Sequence, residues 1–107
     1  MLKPEQIRGA ARRVIAAAST PATVLVVGSY ARGDADEWSD LDLVVVEPEL
    51  LDEGTEYLRL KTAIGRIGVG VDLLLFSRHD FDRRRQVPGT LPYWAMKEGK
   101  VFIDAAA

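Results

Sequence analysis

Short apolar runs alternate with amphipathic stretches along this chain, and the change of period between them predicts its elements. Pro4 suits the first turn of a helix, and Ile7, Ala11, Val14 and Ala18 recur at helical spacing while Arg8, Arg12 and Arg13 fall elsewhere. An amphipathic helix is expected there, ended by Ser19, Thr20 and Pro21. Thr23 to Val27 is a β-branched run without polar alternation, the pattern of a strand covered on both faces. Leu41 to Val46 and Val71 to Phe76 read as two further strands. Between Tyr30 and Ser39 the chain is polar and acidic, which predicts at most a short helix and then a loop.

Pro48 closes the second strand, and Leu60, Ala63, Ile64 and Ile67 predict a helix from about Leu50 to Ile67. Asp80 is expected to cap a short helix, FDRRRQV, ended by Pro88 and Gly89. A last helix, Leu91 to Glu98, turns at Gly99 into a short strand, Val101 to Ile103. The order helix, strand, strand, helix, strand, helix, strand predicts a small α/β or α+β fold, a mixed β-sheet with helices packed against it.

Composition narrows the class. A chain of 107 residues is expected to form one domain, residues 1–107, with one core. With 14 basic against 16 acidic residues there is no strong field to hold a polyanion, so direct nucleic-acid binding is disfavoured. No cysteine is present, which removes disulfides and thiolate metal sites and suits a cytoplasmic setting. The opening MLKPEQIRGAARR carries charges rather than a signal-type apolar segment, and no run approaches membrane-spanning length. A soluble, unexported protein without a membrane partner is expected.

The candidate chemistry lies between Gly28 and Val46, GSYARGDADEWSDLDLVVV. Two aspartates at i and i+2 on a strand share a face, about 6.5–7 Å apart along the chain, so Asp40 and Asp42 are placed to grip metal together while Leu41, Leu43 and Val45 anchor the other face. Asp72 is the only acid inside another apolar strand pattern and completes the cluster. Three carboxylates without His or Cys favour Mg²⁺, and such a cluster can hold two ions about 4 Å apart for in-line phosphoryl or nucleotidyl displacement. Gly28 lets backbone approach a ligand, Ser29 adds a hydroxyl donor at the start of a helical turn, and Arg32 is positioned either for a phosphate or for a salt bridge to Asp34 or Asp36. The chemistry implied is attack by an acceptor hydroxyl on the α-phosphate of a nucleoside triphosphate. Asp40 and Asp42 would bind metal, and Asp72 would bind metal and accept the hydroxyl proton.

From Thr23 to Phe76 the chain resembles the polymerase-β-type nucleotidyltransferase superfamily, in which a Gly-Ser turn precedes an Asp-x-Asp pair and a third Asp follows on a later strand. GSYARG followed by SDLDLVVV is most similar to its minimal nucleotidyltransferase group. The resemblance implies that fold, Gly28 and Ser29 at the nucleotide, and Asp40, Asp42 and Asp72 as metal-binding and catalytic residues. It also implies ATP as substrate, and an antitoxin that transfers AMP to a tyrosine of a HEPN-domain ribonuclease toxin, with which it would form a hetero-oligomer. Two alternatives stand beside it: transfer to a small molecule such as an aminoglycoside, or neutralisation of a partner by binding alone.

Other conspicuous residues have plainer expected uses. Asp36 and Glu37 fit a solvated loop, and Trp38 is expected to pack at the sheet edge rather than lean on a base. His79, the lone histidine, reads as a surface residue. Arg83, Arg84 and Arg85 read as a solvated helix face, with a toxin contact or a tRNA-like backbone patch as the sharper alternative. Tyr93 and Trp94 are expected in the core, as are Ile7, Val14 and Leu60.

Overall fold

The structure, a computed structural model, describes residues 1–104, with side chains through residue 100. Its elements run α1 (Pro4–Ala17), β1 (Thr23–Val27), α2 (Ser29–Arg32), β2 (Leu41–Glu47), α3 (Glu53–Ile64), β3 (Val71–Ser77), α4 (Arg78–Arg84), α5 (Leu91–Glu98) and β4 (Lys100–Asp104). The four strands form one mixed sheet in the order β3-β2-β1-β4. β1 pairs antiparallel with β2 and β4, and β2 pairs parallel with β3 through the α3 crossover.

Helices cover both faces, which is why β1 and β2 are apolar without alternation. On one face Val24, Val26, Leu41, Leu43, Val45, Leu73 and Leu75 pack with Ile7, Ala10, Ala11 and Val14 of α1 and Leu60 and Ile64 of α3. On the other, Leu25, Val27, Val44 and Val46 pack with Phe81 of α4 and Ala95 of α5. The expected core residues Ile7, Val14 and Leu60 are all buried. β3 is only partly covered because it lies at the sheet edge.

Helix ends depart from the sequence expectation where side chains compete for them. α3 starts at Glu53 because Asp52 accepts from Thr55 N at 3.1 Å, and it stops at Ile64, where the Arg13 guanidinium takes the carbonyls of Ala63 and Ile64, each at 3.1 Å. Ile67 therefore lies outside the helix, although it still packs on the core. Asp80 does not cap α4: Ser77 does, its hydroxyl accepting from Asp80 N at 3.1 Å, so the helix begins at Arg78. Tyr93 and Trp94 are not core residues. Tyr93 is half-buried and Trp94 is 51% exposed, and the two rings meet edge to face with centroids 5.6 Å apart.

At the C-terminal end of β2, two buried acids meet. Thr20 donates to Glu47 Oε1 at 2.8 Å, while Ser19 N and Oγ donate to the two oxygens of Glu56, both at 2.9 Å. Arg59 lies 3.4 Å from Glu56 Oε1. Glu47 Oε2 is buried without a donor among the described residues, and its carboxyl is in hydrogen-bonding contact with that of Glu56.

Candidate active site

The sheet register assembles the candidate site at the opposite end of β2. Val27 pairs with Asp42, and Asp42 pairs with Asp72, so the Gly28-Ser29 turn, Asp42 and Asp72 follow one another across three strands. Neighbours Leu41, Leu43, Leu73 and Leu75 face α1 and α3, which puts the aspartates on the α4–α5 side, beyond the end of the covered apolar surface. Asp42 and Asp72 are thus held on β2 and β3, whereas Asp40, expected on the same strand as Asp42, stands one residue before β2 begins.

Two glycines make room for the carboxylates. Gly28 has φ 72°, a left-handed conformation, and a Cβ there would collide with Asp42 Oδ2. A Cβ on Gly70 would lie 2.6 Å from Asp40 Oδ1 and 3.0 Å from its Cγ. Gly70 also ties β3 to β2, its carbonyl accepting from Leu41 N at 2.9 Å. Sequence reasoning passed over Gly70; the signal was its place two residues before Asp72, which mirrors Asp40 before Asp42.

The three carboxylates are not equivalent. Asp42 and Asp72 are in direct hydrogen-bonding contact, whereas the Asp40 carboxyl leans over Gly70. Burial, the contact with Asp72, and the charges of Asp72 and Asp40 together push the Asp42 carboxyl up to about 6, and Arg32 opposes the rise. Two acids in such contact need a proton or a cation between them. No group of three or more Asp, Glu, His or Cys side chains among the described residues is drawn together as a ready cation cage. The donor set nevertheless suits Mg²⁺: Asp42 and Asp72 offer hard carboxylate oxygens on adjacent strands, and Asp40, one residue before β2, is a third carboxylate of the same kind.

Ser29 opens α2, the four-residue turn expected after Gly28. Arg32 at the end of α2 is half-exposed and makes the salt bridge to Asp34, Nε to Oδ2 at 3.3 Å, and a second to Glu98 Oε1 at 3.5 Å. Both expected uses remain compatible with this position, because its charge also reaches Asp42. His79 is exposed on α4, away from the row of acids. Arg83 and Arg85 are exposed and paired with Asp80 and Asp82 at 3.3 and 3.7 Å. Trp38 departs most from expectation: it does not pack at the sheet edge but stands 84% exposed, because Asp36 and Ser39 bind the loop backbone into a turn that carries the ring outward.

Residues 7–103 match the model of the nucleotidyltransferase domain family, and the chain belongs to that family. Among solved structures it is similar to a crystal structure of a toxin-antitoxin with AMP-PNP, at a TM-score of 0.69 and 18% identity over 98% of this chain and 76% of that one. A putative nucleotidyltransferase from Sulfolobus solfataricus shares the fold at a TM-score of 0.62 and 18% identity, over 94% of this chain and 79% of that one. Comparison with curated proteins returned no match. No helix among the described residues is long and apolar enough to cross a membrane.

Proposed function

We propose that the chain is a Mg²⁺-dependent nucleotidyltransferase that moves AMP from ATP to a tyrosine hydroxyl of a HEPN-domain toxin, and so acts as an antitoxin. The observation that carries the reading is the Asp42–Asp72 carboxyl contact one strand away from the Gly28-Ser29 turn. Ser29 and the Gly28 backbone receive the phosphate tail, with Arg32 leaving Asp34 and Glu98 to neutralise it. Asp40, Asp42 and Asp72 would hold the metal, which when bound supplies positive charge to the phosphates at the reacting centre. The acceptor oxygen forms a bond to the α-phosphorus, the bond to the β-phosphate bridging oxygen breaks, and pyrophosphate departs. Asp72, at the sheet edge, takes the hydroxyl proton.

The toxin assignment draws on the resemblance of GSYARG and SDLDLVVV to minimal nucleotidyltransferases, and on the likeness to a toxin-antitoxin structure containing AMP-PNP. Incubation with a HEPN partner, ATP and Mg²⁺ should add the mass of AMP to the toxin, and Asp42→Ala should abolish the adduct. Activity on an aminoglycoside without any protein partner would instead support small-molecule transfer. Full neutralisation in cells by the Asp40→Ala, Asp42→Ala double variant would sink the enzymatic account in favour of binding alone.

A further inference from the structure

The loop between α2 and β2 holds an exposed aromatic ring in an ordered turn. Trp38 is 84% exposed, yet its backbone is fixed: Trp38 N donates to Asp36 Oδ1 at 2.9 Å, and Asp36 N donates to Ser39 Oγ at 2.9 Å. Ser39 returns two bonds, Oγ to Asp36 Oδ1 at 3.1 Å and N to the Asp36 carbonyl at 3.2 Å. Ser39 leads directly into Asp40, and Leu41 is anchored to Gly70. An indole is among the largest apolar surfaces one residue can bury, and here a closed set of hydrogen bonds keeps it in water. Three residues separate it from Asp42, four chain steps that span at most about 14 Å.

Resting on the nucleotide-transfer reading above, we propose that Trp38 is the base platform of this site, its indole stacking on the heterocyclic base of the nucleoside triphosphate. The charges around it select that end of the ligand. Asp36 and Glu37 flank the ring in the same loop and repel a triphosphate, whereas an uncharged base meets no such penalty. The phosphate tail belongs at Ser29 and Arg32, on the β1 side of Asp42. Stacking reads the π-face that every base possesses, so Trp38 strengthens binding of purine nucleotides with little choice among them.

The chain has two tryptophans, Trp38 and Trp94, so the ring can be observed by itself in Trp94→Phe. Calorimetric and fluorescence titrations with MgATP, MgGTP and Mg-tripolyphosphate form the test, on full-length wild type, Trp94→Phe, Trp38→Leu and Trp38→Phe. Emission of Trp94→Phe should be quenched by both nucleotides but not by tripolyphosphate. Trp38→Leu should weaken both nucleotides by about 5- to 150-fold while tripolyphosphate binds as before, and Trp38→Phe should recover part of the loss. Wild-type nucleotide affinity in Trp38→Leu overturns the platform and leaves the transfer reading standing. The same affinity with a weakened toxin complex also overturns it, and gives Trp38 to a protein interface. An equal loss for tripolyphosphate overturns it too, since the ring would then act on the phosphate end. Absence of any nucleotide binding in wild type removes both readings.

Discussion

Glu47→Gln should abolish an alkaline loss of stability that the wild-type protein carries. Glu47 is 1% exposed and its Oε2 has no donor among the described residues, so burial beside the Glu56 carboxyl favours a proton shared between the two acids. Burial first, and then the contact with Glu56, raise the Glu47 carboxyl above its ordinary 4.5. The Ser19 backbone and hydroxyl donors and Glu47 itself outweigh burial at Glu56 and hold it lower, with Arg59 adding to the effect. Because the folded value of Glu47 is raised, its contribution is complete below 4.5 and is lost as pH climbs through the raised value. One proton sets the ceiling, about 1.4 kcal/mol per pH unit, or about 5–10 °C of melting temperature per unit for a domain of this size.

In Glu47→Gln an amide hydrogen replaces the shared proton and donates to Glu56 at every pH, while the amide oxygen still accepts from Thr20. Circular-dichroism melts of both proteins across about pH 4 to 9 read the difference. The variant should gain on wild type as pH rises from about 4.5, until Glu47 is fully ionised. Parallel curves, or a variant that loses ground on alkalinisation, would refute the shared proton. Titration of the distant Asp42 is common to both proteins and cancels in the comparison.

Three further outcomes follow from the site and its support. Mg²⁺ affinity should weaken as pH falls through about 6, because Asp42 then holds the proton that the metal must displace; a titration flat across that range would count against Asp42 as a ligand. Gly70→Ala should lower nucleotidyl transfer about 100-fold with little change in melting temperature, since its Cβ displaces the Asp40 carboxylate rather than the core; wild-type turnover would exclude Asp40 from the machinery. Phe81→Ala should cost about 3–5 kcal/mol in denaturant unfolding, because the ring is 1% exposed and meets Phe76 edge-on with centroids 5.9 Å apart; a loss under about 1 kcal/mol would mean the second helical layer closes without it.

Much of the fold was legible because its signals are local. The apolar runs became strands, and Gly28-Ser29 became a turn into a short helix, since a β-branched run and a glycine each act within a few residues. Pairing is another matter. That Asp72 stands beside Asp42, rather than beside Asp40, depends on register across β2 and β3, which no local pattern carries. Side chains arriving from distant segments also escaped, as with Arg13 ending α3 from α1, or Glu98 reaching Arg32 from α5. Trp38 shows the opposite failure: ring size argued for burial, but the hydrogen bonds of Asp36 and Ser39 decided the outcome.

The hydroxyl of Tyr30 accepts from the backbone amide of Leu2 at 3.0 Å, and Leu2 itself is buried. Tyr30 is the next residue after Ser29. The first residues are therefore fastened to the turn proposed to receive the phosphates, and a pull on one is felt by the other. An affinity tag fused directly to Met1 would tug at that fastening, so kinetic work on this protein calls for tags placed elsewhere or removed, and a Tyr30→Phe chain would report how much of the turn's rigidity the tether provides.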